Sequence, residues 1–368
     1  MPNKKISITF QTLTPLWTGD AWGENTQIRP SSIMGSLRFW FEVICYFAGI
    51  TEKENYKDGK LNDDLNEKEF KKSVLENGTT FESVNKILTR LGISLPSIVF
   101  GCTGWKGLLR IKRIEEIEDY CFGNRLNLPF GIAVKKDFSE IKELNNFREL
   151  DRDNYSGWFF PIPYFFGKFE IIFEIEEKII KPLFYPLLTF IEKYGFLGGK
   201  WNIGYGRVKI EKVEEKEKED FKEINNWRRE DFKFDNSNVE KISNFISKKN
   251  NFSHSTQSHE YLKFFLVVDS FYCFRERNFN NKVSNLPSII KIAELNNNFN
   301  CYEDAIIQLL QLKAKIRNCL RPNNSISNKQ FWHNFRHKLL GTTSNNMEGT
   351  KIISNFPKKY GMGKNQPE

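Results

Sequence analysis

The sequence predicts an α+β protein in two domains, and three observations predict it. Segments with two-residue alternation of apolar and polar side chains recur at 6–12, 108–114, 169–175 and from 208 onward. Helical apolar stripes lie between them, at 33–44 and 183–194. A charged stretch at 211–223 and a polar bridge to about 258 then precede a new strand pattern at 261–268. A chain of 368 residues also exceeds one ordinary core.

Taken in order, Ile6, Ile8 and Phe10 alternate with Ser7 and Thr9, as in a strand with one buried face. After the loop Pro15-Leu-Trp17-Thr-Gly19-Asp20-Ala-Trp22-Gly23, Arg29-Pro30-Ser31-Ser32 opens a helix with a serine expected at its N-cap. Ile33, Leu37, Phe41 and Ile44 give that helix one apolar face. Residues 52–72 read as a solvated insertion. The turn at Phe100-Gly101 leads to a strand at 108–114, and a third strand at 169–175 has Glu170, Glu174 and Glu176 on its expected wet face. Pro182 is expected at a first helical position, Leu183, Leu187, Ile191 and Tyr194 form the stripe, and Gly195 stops the helix. Val208 and Ile210 start the last strand.

Strand, helix, two strands, helix, strand is the order of a ferredoxin-like unit, here elaborated by insertions. It occupies 1–212. Residues 213–258 are expected to be a charged or polar linker, and 259–368 a second α+β domain with helices near 302–318 and 328–340.

Composition narrows the function. Lys and Arg outnumber Asp and Glu by 55 to 46, a net charge of +9 that permits nucleic-acid binding without requiring it. No apolar run reaches the ~18–20 residues of a membrane span, and the N-terminus lacks a signal-peptide pattern. The six cysteines include no CxxC pair, so zinc-finger and thioredoxin-like chemistry lose support, and buried thiols in a reducing cytoplasm are expected.

The clearest constellation is Phe196-Leu-Gly198-Gly199-Lys200-Trp201-Asn-Ile-Gly204-Tyr205-Gly206-Arg207. It is neither a Walker nor a Rossmann loop, because it runs from helix to strand and lacks the Lys-Ser/Thr ending. Its glycines are expected to free backbone N–H groups for phosphate oxygens, with Lys200 and Arg207 supplying charge and Trp201 and Tyr205 stacking faces for bases. The bland alternative, a tight helix-to-strand connection, is equally compatible with the glycines alone. Arg29 and Arg38 around the first helix start are further phosphate candidates, against ordinary capping and an Arg38–Glu42 pair. Late in the chain, Arg336 and Lys338 form a basic helix end. His333 and His337 have i, i+4 spacing but lack the HExxH glutamate, so no metal is expected there. Asp20 and Glu24 are explained as turn residues, and no nucleophile–base arrangement emerges from spacing.

Two stretches carry a family resemblance: Leu13-Thr-Pro-Leu-Trp-Thr-Gly19 and Ile28-Arg-Pro-Ser-Ser-Ile-Met-Gly-Ser-Leu-Arg-Phe-Trp40. They resemble the opening of RAMP superfamily CRISPR proteins, more narrowly the first-subunit family of type III-B (Cmr) effector complexes. The turn at Phe100-Gly101, the ending Gly204-Tyr-Gly-Arg207 and Arg336-His-Lys-Leu-Leu-Gly341 are similar to later family segments. The resemblance implies two tandem ferredoxin-like (RRM-related) domains and no cofactor. It also implies a cytoplasmic, non-catalytic RNA-binding subunit of an antiviral ribonucleoprotein, placed near the 3′ end of the guide. Its partners would be guide RNA, target RNA, backbone RAMP subunits and a second capping RAMP subunit. The alternative within the superfamily is an endoribonuclease acting on guide precursor or target RNA, with Asp20, His333 or His337 as candidates. A purely structural cap, touching only protein through the Trp17/Trp22 loop, is the third reading.

Overall fold

The computed structural model describes residues 3–228, apart from 21, 48–49, 52–55, 58–59, 62, 120, 136–138, 201–202 and 218–219. The expected second domain, its helices, all four histidines, Arg336 and Lys338 lie outside the described residues.

Strand β1 (Asn3–Thr12) buries Ile6, Ile8 and Phe10, as the alternation predicts. Helix α1 (Pro30–Phe47) buries Ile33, Leu37, Phe41 and Ile44. It starts at Pro30, whose fixed φ suits a first helical position. The Arg29 carbonyl accepts the Ser32 and Ile33 N–H groups at 3.1 and 3.2 Å, so neither serine is the N-cap. The insertion that follows forms a two-residue hairpin, β2 (Tyr56–Lys57) and β3 (Lys60–Leu61), then α2 (Glu67–Asn77), α3 (Phe81–Arg90) and α4 (Leu95–Phe100). These helices enclose a small core of their own, with Leu65, Val84, Leu88, Ile93 and Ile98 buried.

Next come β4 (Leu109–Glu116), β5 (Phe122–Gly123), β6 (Gly131–Lys135), β7 (Ile141–Leu144), β8 (Tyr155–Phe159), β9 (Tyr164–Phe165) and β10 (Lys168–Glu176). Helix α5 (Glu177–Ile179) passes through a π-type turn at Ile180–Phe184 into α6 (Tyr185–Tyr194). Pro182 therefore lies inside this helical stretch, not at its start. Proline has no N–H to close a normal helical turn, and the backbone widens there. Strands β11 (Val208–Glu217) and β12 (Asp220–Glu223) complete the described chain.

The main sheet has the order β12-β11-β1-β10-β4, every neighbouring pair antiparallel. Along the chain, β1, α1, β4, β10, α6 and β11 follow one another in the strand, helix, two strands, helix, strand order that the sequence predicts. Phe10 lies opposite Phe169 in register and stacks on it at 5.2 Å between ring centroids. The opposite face of the two central strands carries Ser7, Thr9, Glu170, Ile172 and Glu174, with Ser7 Oγ donating to Glu170 at 2.6 Å. Those two strands put no aromatic ring on that face. A second sheet, β7-β6-β8, stands on a separate core in which Ile132, Val134 and Trp158 meet Tyr164, Ile203 and Tyr205.

Two further expectations are corrected. Glu176 is buried, not on a wet face, and burial raises its carboxyl pKa. Residues 213–223 are not linker. After a bulge opposite Thr9 and Phe10, Val213 still points into the core, and charged neighbours occupy the other face and the hairpin to β12. The unit extends further, because Trp227 is buried and Arg228 grips Glu192 through two 3.0 Å hydrogen bonds. Among the described residues no helix is long and apolar enough to cross a membrane.

Candidate nucleic-acid interface

The glycine-rich connection between α6 and β11 is anchored to the segment that follows β1 and to α1. The Gly199 N–H donates to the Trp17 carbonyl at 2.7 Å, and Gly206 donates to Pro15 at 2.7 Å. The Gly198 N–H donates to Ser36 Oγ on α1 at 2.9 Å. Close approach demands glycine at two of these positions. A Cβ on Gly198 (φ 73°) would stand 2.5 Å from the Trp17 oxygen, and one on Gly206 (φ 90°) 2.1 Å from the Leu197 oxygen. The N–H groups of Gly198, Gly199 and Gly206 are thus spent on this protein, which corrects the expectation that they await phosphate. Gly204, also left-handed at φ 91°, is buried in the same turn.

Arg207 and Tyr205 are corrected as well. Arg207 is fully buried. Its guanidinium donates to the Ile191 carbonyl at 3.2 Å, the Glu192 carbonyl at 2.9 Å and the Gly195 carbonyl, and lies over the Phe196 ring. Those carbonyls belong to the last turn of α6 and the residue after it, where the helix dipole is negative, so the cation caps a helix end. Tyr205 is equally buried, donates to the Pro161 carbonyl at 3.3 Å and stacks with Phe160 at 6.5 Å. Burial pushes its phenol well above the ordinary value. Neither side chain meets solvent, so neither is placed to touch RNA.

Arg29, just before α1, and Arg38, within it, are both ion-paired. Arg38 donates to Glu42 at 2.8 Å, to the Gly101 carbonyl at 2.6 Å and to Ser97 Oγ at 3.2 Å, fastening α1 to α4. The Glu42 pair that the helical spacing anticipated is thus present, and 29% of the Arg38 side chain stays in solvent. Arg29 pairs with Asp20 at 3.0 Å and keeps 27% of its side chain in solvent. Asp20 also accepts from the Trp22 and Glu24 N–H groups, so this carboxylate is a turn residue, as its sequence context suggested.

Lys200 remains. Its backbone is left-handed at φ 61°, and its Nζ sits 5.1 Å from the centroid of the Trp17 ring. No ion pair to it occurs among the described residues. It is partly exposed, and desolvation lowers its amine pKa. Trp201 lies outside the described residues. Trp17 is the partner that sequence reasoning did not pair with Lys200. The signal was Gly19, because a Cβ there would stand 2.2 Å from the indole, so Trp-x-Gly encodes a ring folded over its own chain.

The RAMP superfamily model matches residues 9–209. No curated protein matches the chain. Similar solved structures include apo Cmr1 from Pyrococcus furiosus, 16% identical over 57% of this chain and 50% of that one, with a TM-score of 0.28. A chain of type III-B Cmr-beta bound to cognate target RNA is 15% identical over 75% of this chain and 65% of that one, at 0.31. One from Cmr-beta bound to target RNA and AMPPnP, in the presence of ssDNA, is 14% identical over 69% and 60%, at 0.30. The match thus spans half to just under two thirds of those chains.

Proposed function

The chain belongs to the RAMP superfamily, and on that premise we propose that it is a non-catalytic RNA-binding subunit of a type III-B CRISPR effector ribonucleoprotein. It contacts guide and target RNA beside other RAMP subunits, and a second ferredoxin-like unit follows the first. The observation that carries this reading is Lys200, a half-buried cation on an indole face, with no carboxylate paired to it among the described residues. A phosphate supplies the counter-charge such an amine lacks.

The sheet face bears on where RNA runs. RRM domains stack bases on aromatic residues of the sheet, whereas the central strands here offer Ser7, Thr9, Glu170 and Glu174. RNA is therefore assigned to the loop side, along Trp17, Arg29 and Lys200. A non-catalytic role is supported by the commitment of Asp20 to its own turn and to Arg29. Photocrosslinking of the full chain to labelled RNA, with peptide mapping, tests the reading. Crosslinks are expected in the peptides holding Trp17 and Lys200, and crosslinks confined to the sheet face overturn it.

A further inference from the structure

Trp22 is the most exposed large apolar residue described, with 89% of its surface in solvent. An isolated exposed apolar residue is ordinary, but this one stands on a built pedestal. Asp20 Oδ1 accepts the Trp22 N–H at 2.9 Å and the Glu24 N–H at 3.0 Å. The backbone closes the same turn, with Gly23 donating to the Asp20 carbonyl at 3.1 Å and Asp20 donating to the Glu24 carbonyl at 3.0 Å. Asp20 Oδ2 takes Arg29 at the start of α1, and buried Asn25 ties the loop to Thr18 and to the Pro163 carbonyl. These bonds hold the backbone beneath an indole that is 89% exposed among the described residues.

We propose that Trp22 is a stacking post for a base of the RNA bound at Lys200, an inference that rests on the RNA-binding reading above. The loop that carries Trp22 also carries Trp17, whose carbonyl accepts the Gly199 N–H and whose ring lies under the Lys200 amine. The two tryptophans are five positions apart, so their Cα atoms are at most ~18 Å apart. That is a few nucleotides of a stacked strand at roughly 3.4 Å each. Every base has a π-face, so such a post holds RNA without reading its sequence. A pinned backbone also limits the entropy lost when the ring is covered.

The test uses the full chain and a fluorescein-labelled, unstructured 20-nucleotide RNA, titrated at several salt concentrations. Trp22→Ala is expected to weaken binding by about tenfold or more and to leave the slope of log affinity against log salt unchanged. Trp22→Tyr is expected to restore most of the loss. Lys200→Ala is expected to reduce that slope by about one. Unchanged affinity in Trp22→Ala overturns the proposal and leaves the ring to a protein neighbour. A loss that Tyr does not recover also overturns it, since a stacking ring is then not what was removed. Loss in Trp22→Ala with none in Lys200→Ala sinks the Lys200 site and keeps the stack, whereas no binding by the unaltered chain sinks the RNA reading itself.

Discussion

Lys200 reaches the face of Trp17, 5.1 Å from amine to ring centroid, from a backbone held at φ 61°. A non-glycine residue there costs roughly 1 kcal/mol, which glycine does not incur. Lys200→Gly is therefore expected to raise folding stability by about 0.5–1 kcal/mol while weakening RNA binding. Urea denaturation and RNA titration of the same protein check the two opposed signs. A variant that loses both would make Lys200 a structural residue.

Arg207 gives the reverse pattern. Arg207→Met removes a buried cation from three carbonyls at the end of α6 and leaves them unsatisfied. The expected loss is about 3–5 kcal/mol, read from urea midpoints. Among molecules still folded, the salt dependence of RNA binding is expected to stay unchanged.

The glycines separate in the same way. A Cβ on Gly35, in mid-helix on α1, meets nothing within 4 Å, so Gly35→Ala is expected to gain about 1 kcal/mol from helix propensity. Gly206→Ala drives a methyl into the Leu197 carbonyl at a positive φ and is expected to cost at least about 3 kcal/mol. Thermal unfolding of the pair checks both signs.

Much of this architecture was legible in the sequence. Strict alternation marks β1 and β10, and the stripe from Ile33 to Ile44 marks α1, because each has one buried face. The three-stranded sheet was not legible. Its central strand is the short run Gly131-Ile-Ala-Val-Lys135, mostly buried and without alternation. The end of β11 was hidden for the opposite reason, since beyond Val213 the strand leaves the core and is held by backbone pairing and the Lys4–Glu215 ion pair, neither of which leaves an apolar pattern. At the candidate site, sequence brought the glycines and cations together but could not separate a cation that caps a helix from one that faces solvent. Arg207 and Lys200 differ in the carbonyls around them, and those come from residues up to sixteen positions away.

The Glu42 carboxyl lies above its ordinary 4.5 because burial penalises the charge, and the Arg38 ion pair offsets only part of that. A raised folded-state pKa means the folded protein binds this proton before the unfolded chain does. As pH falls from neutrality through the folded pKa toward 4.5, Glu42 therefore adds to stability. Glu42→Gln is expected to remove that contribution. Urea midpoints of the two proteins between pH 7 and 4.5 should diverge with wild type gaining, and parallel curves would refute the shift.

The grip of Arg228 on Glu192 bears on how this unit is cut from its gene. Glu192 is buried, and besides Arg228 it accepts the Ile210 N–H at 2.8 Å. A fragment stopped at residue 212, where charge patterning invites the cut, strips β12 and the Trp227 plug and strands an anion under the sheet. Expression of 1–212 should give aggregated protein, whereas 1–228 should elute as a folded species on gel filtration.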